Sequence, residues 1–146
     1  MPRKTKADPE VISEQELPLN PKKKRSGAYS KQKGNRYELK IIKELTELGY
    51  DGLKSSRSES RSLDNDKIDI AQDRDAENEL PFYVQCKCTK NTPNVQEILE
   101  ACPRKNKPLI VVWNKQINKE VNMASAGEFV MLEKSFFYEL IKKDAQ

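Results

Sequence analysis

The longest uninterrupted apolar run in this 146-residue chain is Leu109-Ile110-Val111-Val112-Trp113, and it leaves no polar face. An alternating strand can turn one side to water, whereas a continuous apolar one has to be covered on both, so this segment belongs at the centre of a sheet flanked by helices. The run is too short to cross a bilayer, and with 34% charged against 36% hydrophobic residues no membrane-length apolar segment is present. A chain of 16.8 kDa has room for one modest domain plus a tail. Met1-Pro2-Arg3-Lys4 is followed by further charge rather than an apolar stretch, so a secretory signal is not expected and a cytoplasmic, intracellular protein is.

Other elements arrange themselves around that strand. Ile41, Ile42, Leu45 and Leu48 recur at helical spacing from Asn35 to about Leu48, and Gly49 stops the run. Tyr50 to Ser55 reads as a strand, Ser55 to Ser62 as a polar, mobile loop, and Lys67 to Ala71 as a short strand with Asp69 in its middle. After the acidic turn Asp73 to Glu79, Phe82 to Cys88 alternates, placing Phe82, Val84, Cys86 and Cys88 on one face and Tyr83, Gln85 and Lys87 on the other. Thr92 caps a helix with Pro93 at its first position, carrying Val95, Ile98, Leu99 and Cys102 on one stripe before Pro103 ends it. Phe129 to Leu132 makes a further strand, and Ser135 caps a last helix, Phe136 to Lys143. The order αβββαββα, without an internal repeat, predicts an α/β fold with a mixed sheet and helices packed on it.

The chain has no histidine, which excludes hydrolases built on Ser-His or Cys-His pairs and metals held by imidazole. Three cysteines, two of them at Cys86 and Cys88, suit neither a disulfide framework nor a four-ligand zinc site, and read as reduced packing residues. Any chemistry rests on carboxylates, amides, lysines and hydroxyls.

Charge is uneven. Residues 1–36 carry a net +6 and residues 37–146 a net -2. The leading segment holds Pro9, Pro18 and Pro21, few large apolar residues and the run Lys22-Lys23-Lys24-Arg25, so residues 1 to about 30 are expected to be a disordered basic arm preceding a domain of residues 31–146. Lys22 to Arg25 with Lys33 and Arg36 suit the phosphates of a nucleic acid, or simply a solubilising tail.

Four polar residues occupy positions that the periodicity marks as partly buried: Glu38 on the helix stripe, Asp69 in its strand, and Gln85 beside Lys87. Unpaired burial of such groups costs several kcal/mol, so mutual pairing or an oxygen-seeking cation such as Mg²⁺ is the economical arrangement. Asp66 is a second choice for the role of Asp69.

The pieces Lys67-Ile68-Asp69-Ile70 and Val84-Gln85-Cys86-Lys87 resemble the PD-(D/E)XK nuclease superfamily, where an aspartate ends one strand and an acid-x-lysine pair lies on the next. Lys33-Gly34-Asn35-Arg36-Tyr37-Glu38 is similar to the KGxxxE helix start of archaeal-type Holliday junction resolvases, and the resemblance spans about residues 31–115. It implies a restriction-endonuclease-like αβββαβ core and a Mg²⁺-dependent endonuclease (Mn²⁺ being an alternative ion) that cuts four-way DNA junctions as a homodimer and leaves 5′-phosphates. By the same resemblance Asp69, the Gln85 side chain, the Cys86 carbonyl and Glu38 are the metal-site residues, and Lys87 orients or deprotonates the attacking water. By analogy with those resolvases Ser56, Arg57, Ser58 and Arg61 are candidates for phosphate contacts in the loop, a linker-like serine run being the alternative. The departure is Gln85, which stands where the family carries an acid; an amide oxygen ligates a hard cation without contributing charge. Action on linear or single-stranded DNA and an inactive DNA-binding relative are the competing expectations.

Overall fold

The structure is a computed structural model that describes residues 27–59, 61–120 and 123–144. Two units divide the chain between Ser30 and Lys31, and the architecture below concerns the second. Helix α1 (Gly27–Glu47) is followed by β1 (Leu53–Ser55), two short helical turns α2 (Ser56–Glu59) and α3 (Arg61–Asn65), β2 (Ile70–Gln72), β3 (Tyr83–Thr89), α4 (Val95–Ala101), β4 (Leu109–Asn118), β5 (Met123–Met131) and α5 (Lys134–Asp144). The fold is mixed α/β, and the predicted succession of elements is present with α2 and α3 added where a mobile loop is expected.

The apolar run lies where its composition demands. β4 is the middle strand of a three-stranded mixed sheet, parallel to β3 and antiparallel to β5. Leu109 through Trp113 are all buried. Ile110 and Val112 face a core of Tyr37, Ile41, Ile70, Val84 and Phe136, contributed largely by α1, β3 and α5. Leu109 faces a second cluster with Ile68 and Cys102, against which Leu63, Tyr83, Ile98 and Leu99 pack. Helical residues therefore cover both faces, which is what a strand without a polar side requires.

Several boundaries differ from the sequence reading. α1 begins eight residues before Asn35, because Gly27 to Gly34 carry no apolar stripe to reveal the helix. It ends as expected: the Gly49 N–H bonds the Thr46 carbonyl and the Tyr50 N–H that of Leu45, with Gly49 at φ 109°. The α4 cap is Asn94 rather than Thr92, its side-chain oxygen accepting from the Glu97 N–H at 3.1 Å. β4 and β5 run on past Trp113 and begin before Phe129, making a longer hairpin through residues too small or polar to alternate. Most consequential, the expected single sheet is split: β1 and β2 form a separate antiparallel pair. Of the N-terminal arm, residues 1–26, including Lys22, Lys23, Lys24 and Arg25, lie outside the described residues.

Candidate active site

Asp69 stands at the fork between the two sheets, not in mid-strand. The reason is local: α3 ends with Lys67 at φ 69°, its N–H bonded to the Asp64 carbonyl and that of Ile68 to Leu63, so the chain turns sharply and enters β2 only at Ile70. The Asp69 backbone then bonds both ways, donating to the Val84 carbonyl at 2.8 Å and accepting from the Ser56 N–H at 2.9 Å. Its carboxylate Oδ2 accepts the Cys86 N–H at 2.7 Å. A backbone donor thus fixes the carboxylate at the edge of β3 that β4 leaves open. Burial holds the Asp69 carboxyl above the usual carboxylate range, against the opposing pull of that N–H and of the Arg57 and Lys87 charges.

Glu38 comes to the same place from α1. It sits one turn before Ile41 on the stripe that faces the core, and it is 3% exposed. One carboxylate oxygen accepts from Ser55 Oγ at 3.3 Å, the other from Arg57 Nη2 at 3.0 Å. Burial first, and the neighbouring Asp69 second, push the Glu38 carboxyl up; Arg57 and Ser55 pull it back. Arg57 also donates to Asn35 Oδ1 at 2.5 Å. Two of its guanidinium donors are therefore committed to α1, and the rest remain for an anion, since the side chain is about one-third exposed.

Gln85 and Lys87 project from the face of β3 opposite Val84 and Cys86. Lys87 is close enough to Asp69 to stabilise its charge. Gln85 is buried, and its Oε1 has no hydrogen-bond partner among the described residues. An orphaned buried acceptor costs about 1–3 kcal/mol, a cost that a cation or a donor from a bound molecule removes. The donor set is consequently hard oxygen with one firmly placed carboxylate, which suits Mg²⁺ or Mn²⁺ completed by water and phosphate oxygens and suits no soft metal. Among the described residues no three acidic or thiol side chains gather into a self-sufficient metal cage.

The loop residues divide. Ser56 is fully buried with its hydroxyl donating to the Ile68 carbonyl, so it ties α2 to the chain before Asp69. Ser58 is exposed and donates to the Ser55 carbonyl at 3.0 Å. The Arg61 side chain lies outside the described residues, while Lys33 is half-buried and Arg36 exposed on α1. Asp66, the second choice, turns away to meet Arg104 Nε at 2.6 Å. Cys86 and Cys88 are free and pack against the α1 side of the core, and burial pushes both thiols up. Sequence reasoning passes over Asn35 and Asp64, the latter close enough to raise both Glu38 and Asp69, and does not single out Ser55 among the serines of the 55–62 loop. The only sequence signal for Asn35 is its position three residues before Glu38. Comparison of this chain with protein-family models, with curated proteins and with solved structures returns no match.

Proposed function

We propose that this chain is a metal-dependent DNA endonuclease with a restriction-endonuclease-like core, cutting four-way junctions by phosphodiester hydrolysis as a homodimer. One observation carries the reading: Asp69 is pinned by the Cys86 N–H at the open edge of the strand that presents Gln85 and Lys87, with the buried Glu38 beside it. In this reading Asp69 and the orphaned Gln85 oxygen hold a Mg²⁺ ion, with the Cys86 carbonyl and Glu38 as its further partners. When bound, the ion neutralises charge on the phosphate undergoing attack. Lys87 orients the attacking water and offsets negative charge on the phosphoryl oxygens. Arg57, braced by Glu38 and Asn35, grips a neighbouring phosphate.

The test is Mg²⁺-dependent cleavage of a labelled four-way junction beside a linear duplex of the same arms, using wild type, Asp69→Ala and Lys87→Ala. Paired cuts confined to the junction and lost in both variants support the reading, with losses above roughly 100-fold, since even partners one step removed from a metal ligand cost 10–100-fold. Cutting of both substrates retains the nuclease and removes junction selectivity. A second reading, a DNA-binding relative without chemistry, is favoured by the amide at Gln85; binding that survives EDTA with no cutting in Mg²⁺ or Mn²⁺ establishes it.

A further inference from the structure

A groove of about 570 Å³ opens at the carboxyl end of β3, between the start of α4 and α1. Its walls carry Lys33, Lys87 and Lys90, together with Asn91 and Asn94. Two elements and a loop supply the lysines: Lys33 lies on α1 one turn before Tyr37, Lys87 on β3, and Lys90 just past its end. None of the three forms a salt bridge among the described residues, although Lys87 lies near Asp69 and Lys33 near Cys88. The carboxylate in the groove wall, Glu97, accepts from Asn94 in the α4 cap.

A second basic depression gives the contrast. It is lined by Lys54, Arg104 and Lys107 among others, and those three are paired with Asp73, Asp66 and Glu79. Three of its four basic side chains are thus neutralised by carboxylates, Arg74 being the fourth. Three lysines lining one groove without a salt bridge among the described residues repel one another, and a polyanion relieves that repulsion. The groove also opens at the carboxyl end of a parallel strand, the end where βαβ units characteristically receive ligands. Because Lys87 belongs to both the groove and the candidate active site, whatever lies along the groove continues into that site.

We infer that the Lys33–Lys87–Lys90 groove is the track for the DNA backbone leaving the candidate active site, with Lys33 and Lys90 each holding a phosphate beyond the one being cut and Asn91 and Asn94 supplying neutral hydrogen bonds. This rests on the nuclease reading for the identity of the polymer, but not for the groove's charge. Lys33 and Lys90 touch no reacting atoms; they set the register in which the strand presents its phosphates.

The test is binding of a four-way DNA junction by the full chain in EDTA, where no cutting occurs, between 50 and 200 mM salt. The variants are Lys33→Gln, Lys90→Gln and their double, with Lys54→Gln/Lys107→Gln as a charge-matched control, thermal unfolding confirming that each folds. Each groove lysine removed lowers the salt slope by about 0.9, so the affinity lost across that salt range shrinks by roughly 3.5-fold per lysine, while the control keeps the wild-type slope. An unchanged slope in the double variant, or an equal change in the control, overturns the groove. Junction cleavage by wild type is measured in parallel: cutting that persists while the slope is unchanged overturns the groove alone. Slope changes confined to the groove variants, with no wild-type cutting, overturn the nuclease reading and uphold the groove.

Discussion

Gln85 holds the greatest tension of any residue in the proposed site. Its neutral amide oxygen is buried with no hydrogen-bond partner among the described residues, and the proposed site has it share a cation with a carboxylate that burial already holds above its ordinary range. Gln85→Glu adds the missing charge in nearly the same volume. The apo variant has to bury a further carboxyl where the amide oxygen already lacks a donor, so its Tm in EDTA falls by several degrees, corresponding to about 1–3 kcal/mol. Mg²⁺ restores it, and the Mg²⁺ concentration for half-maximal stabilisation drops on the order of tenfold relative to wild type because affinity follows ligand charge. Thermal unfolding with and without Mg²⁺ checks both; a variant equally stable in the two conditions removes Gln85 from the metal site. At this scale the sequence was informative where periodicity exposes a polar residue on an apolar stripe, as for Glu38, or beside a partner, as for Gln85 and Lys87. It was silent on Asp64, whose proximity depends on a short helical turn that no apolar pattern announces, and on the bridge from Asn35 through Arg57, which depends on the turn that carries Arg57.

Among the elements, long patterned segments were legible and junctions between them were not. The C-terminus of α1 was readable because Gly49 supplies a positive φ, while the end of α3 was hidden because a lysine takes that conformation there. The acidic stretch after β2 reads as a plain turn, yet it is clamped back onto the segment after α1. The Asp51 carboxylate accepts the Glu77 and Asn78 N–H groups at 2.9 Å each, and Asn78 Nδ2 donates to the Gly49 carbonyl. The N–H groups of Asn78 and then Glu77 hold the Asp51 carboxyl below its usual value. The unfolded chain therefore binds more protons than the folded one as acid is added. The stability due to this clamp is complete above the ordinary carboxylate value of about 3.9 and is lost as pH falls through the lower folded value. Thermal unfolding between pH 2.5 and 7 should show Asp51→Ala less stable than wild type at neutral pH, with the gap closing towards the acid end. A gap that stays constant with pH removes the ionised carboxylate from the account.

At the scale of the whole molecule, the proposed activity sets one domain against a substrate with two-fold symmetry. β5 is an edge strand of the β3-β4-β5 sheet, and its Phe129 and Val130 are 48% and 56% exposed. Phe137 and Ile141 of α5 are each 48% exposed. Phe129 stacks on the buried Trp113, with ring centroids 5.6 Å apart, but Val130 also lines an apolar cavity of about 490 Å³ with Phe137, Leu140 and Leu45. An edge strand that leaves Phe129 and Val130 exposed beside the apolar residues of α5 invites pairing with another chain. A two-fold junction offers equivalent strands to two equivalent sites, so the proposed activity calls for an isologous dimer, and the β5–α5 face is where its subunits are expected to meet. Sedimentation equilibrium should therefore show a dimer for the full chain. Val130→Lys/Ile141→Lys, chosen to leave the Trp113–Phe129 stack in place, should shift it to monomer with unchanged far-UV circular dichroism and turn paired junction cuts into single nicks. Wild type that sediments as a monomer at working concentration, with junction DNA and without it, removes the dimer, and each molecule would then have to cut the two strands in separate encounters.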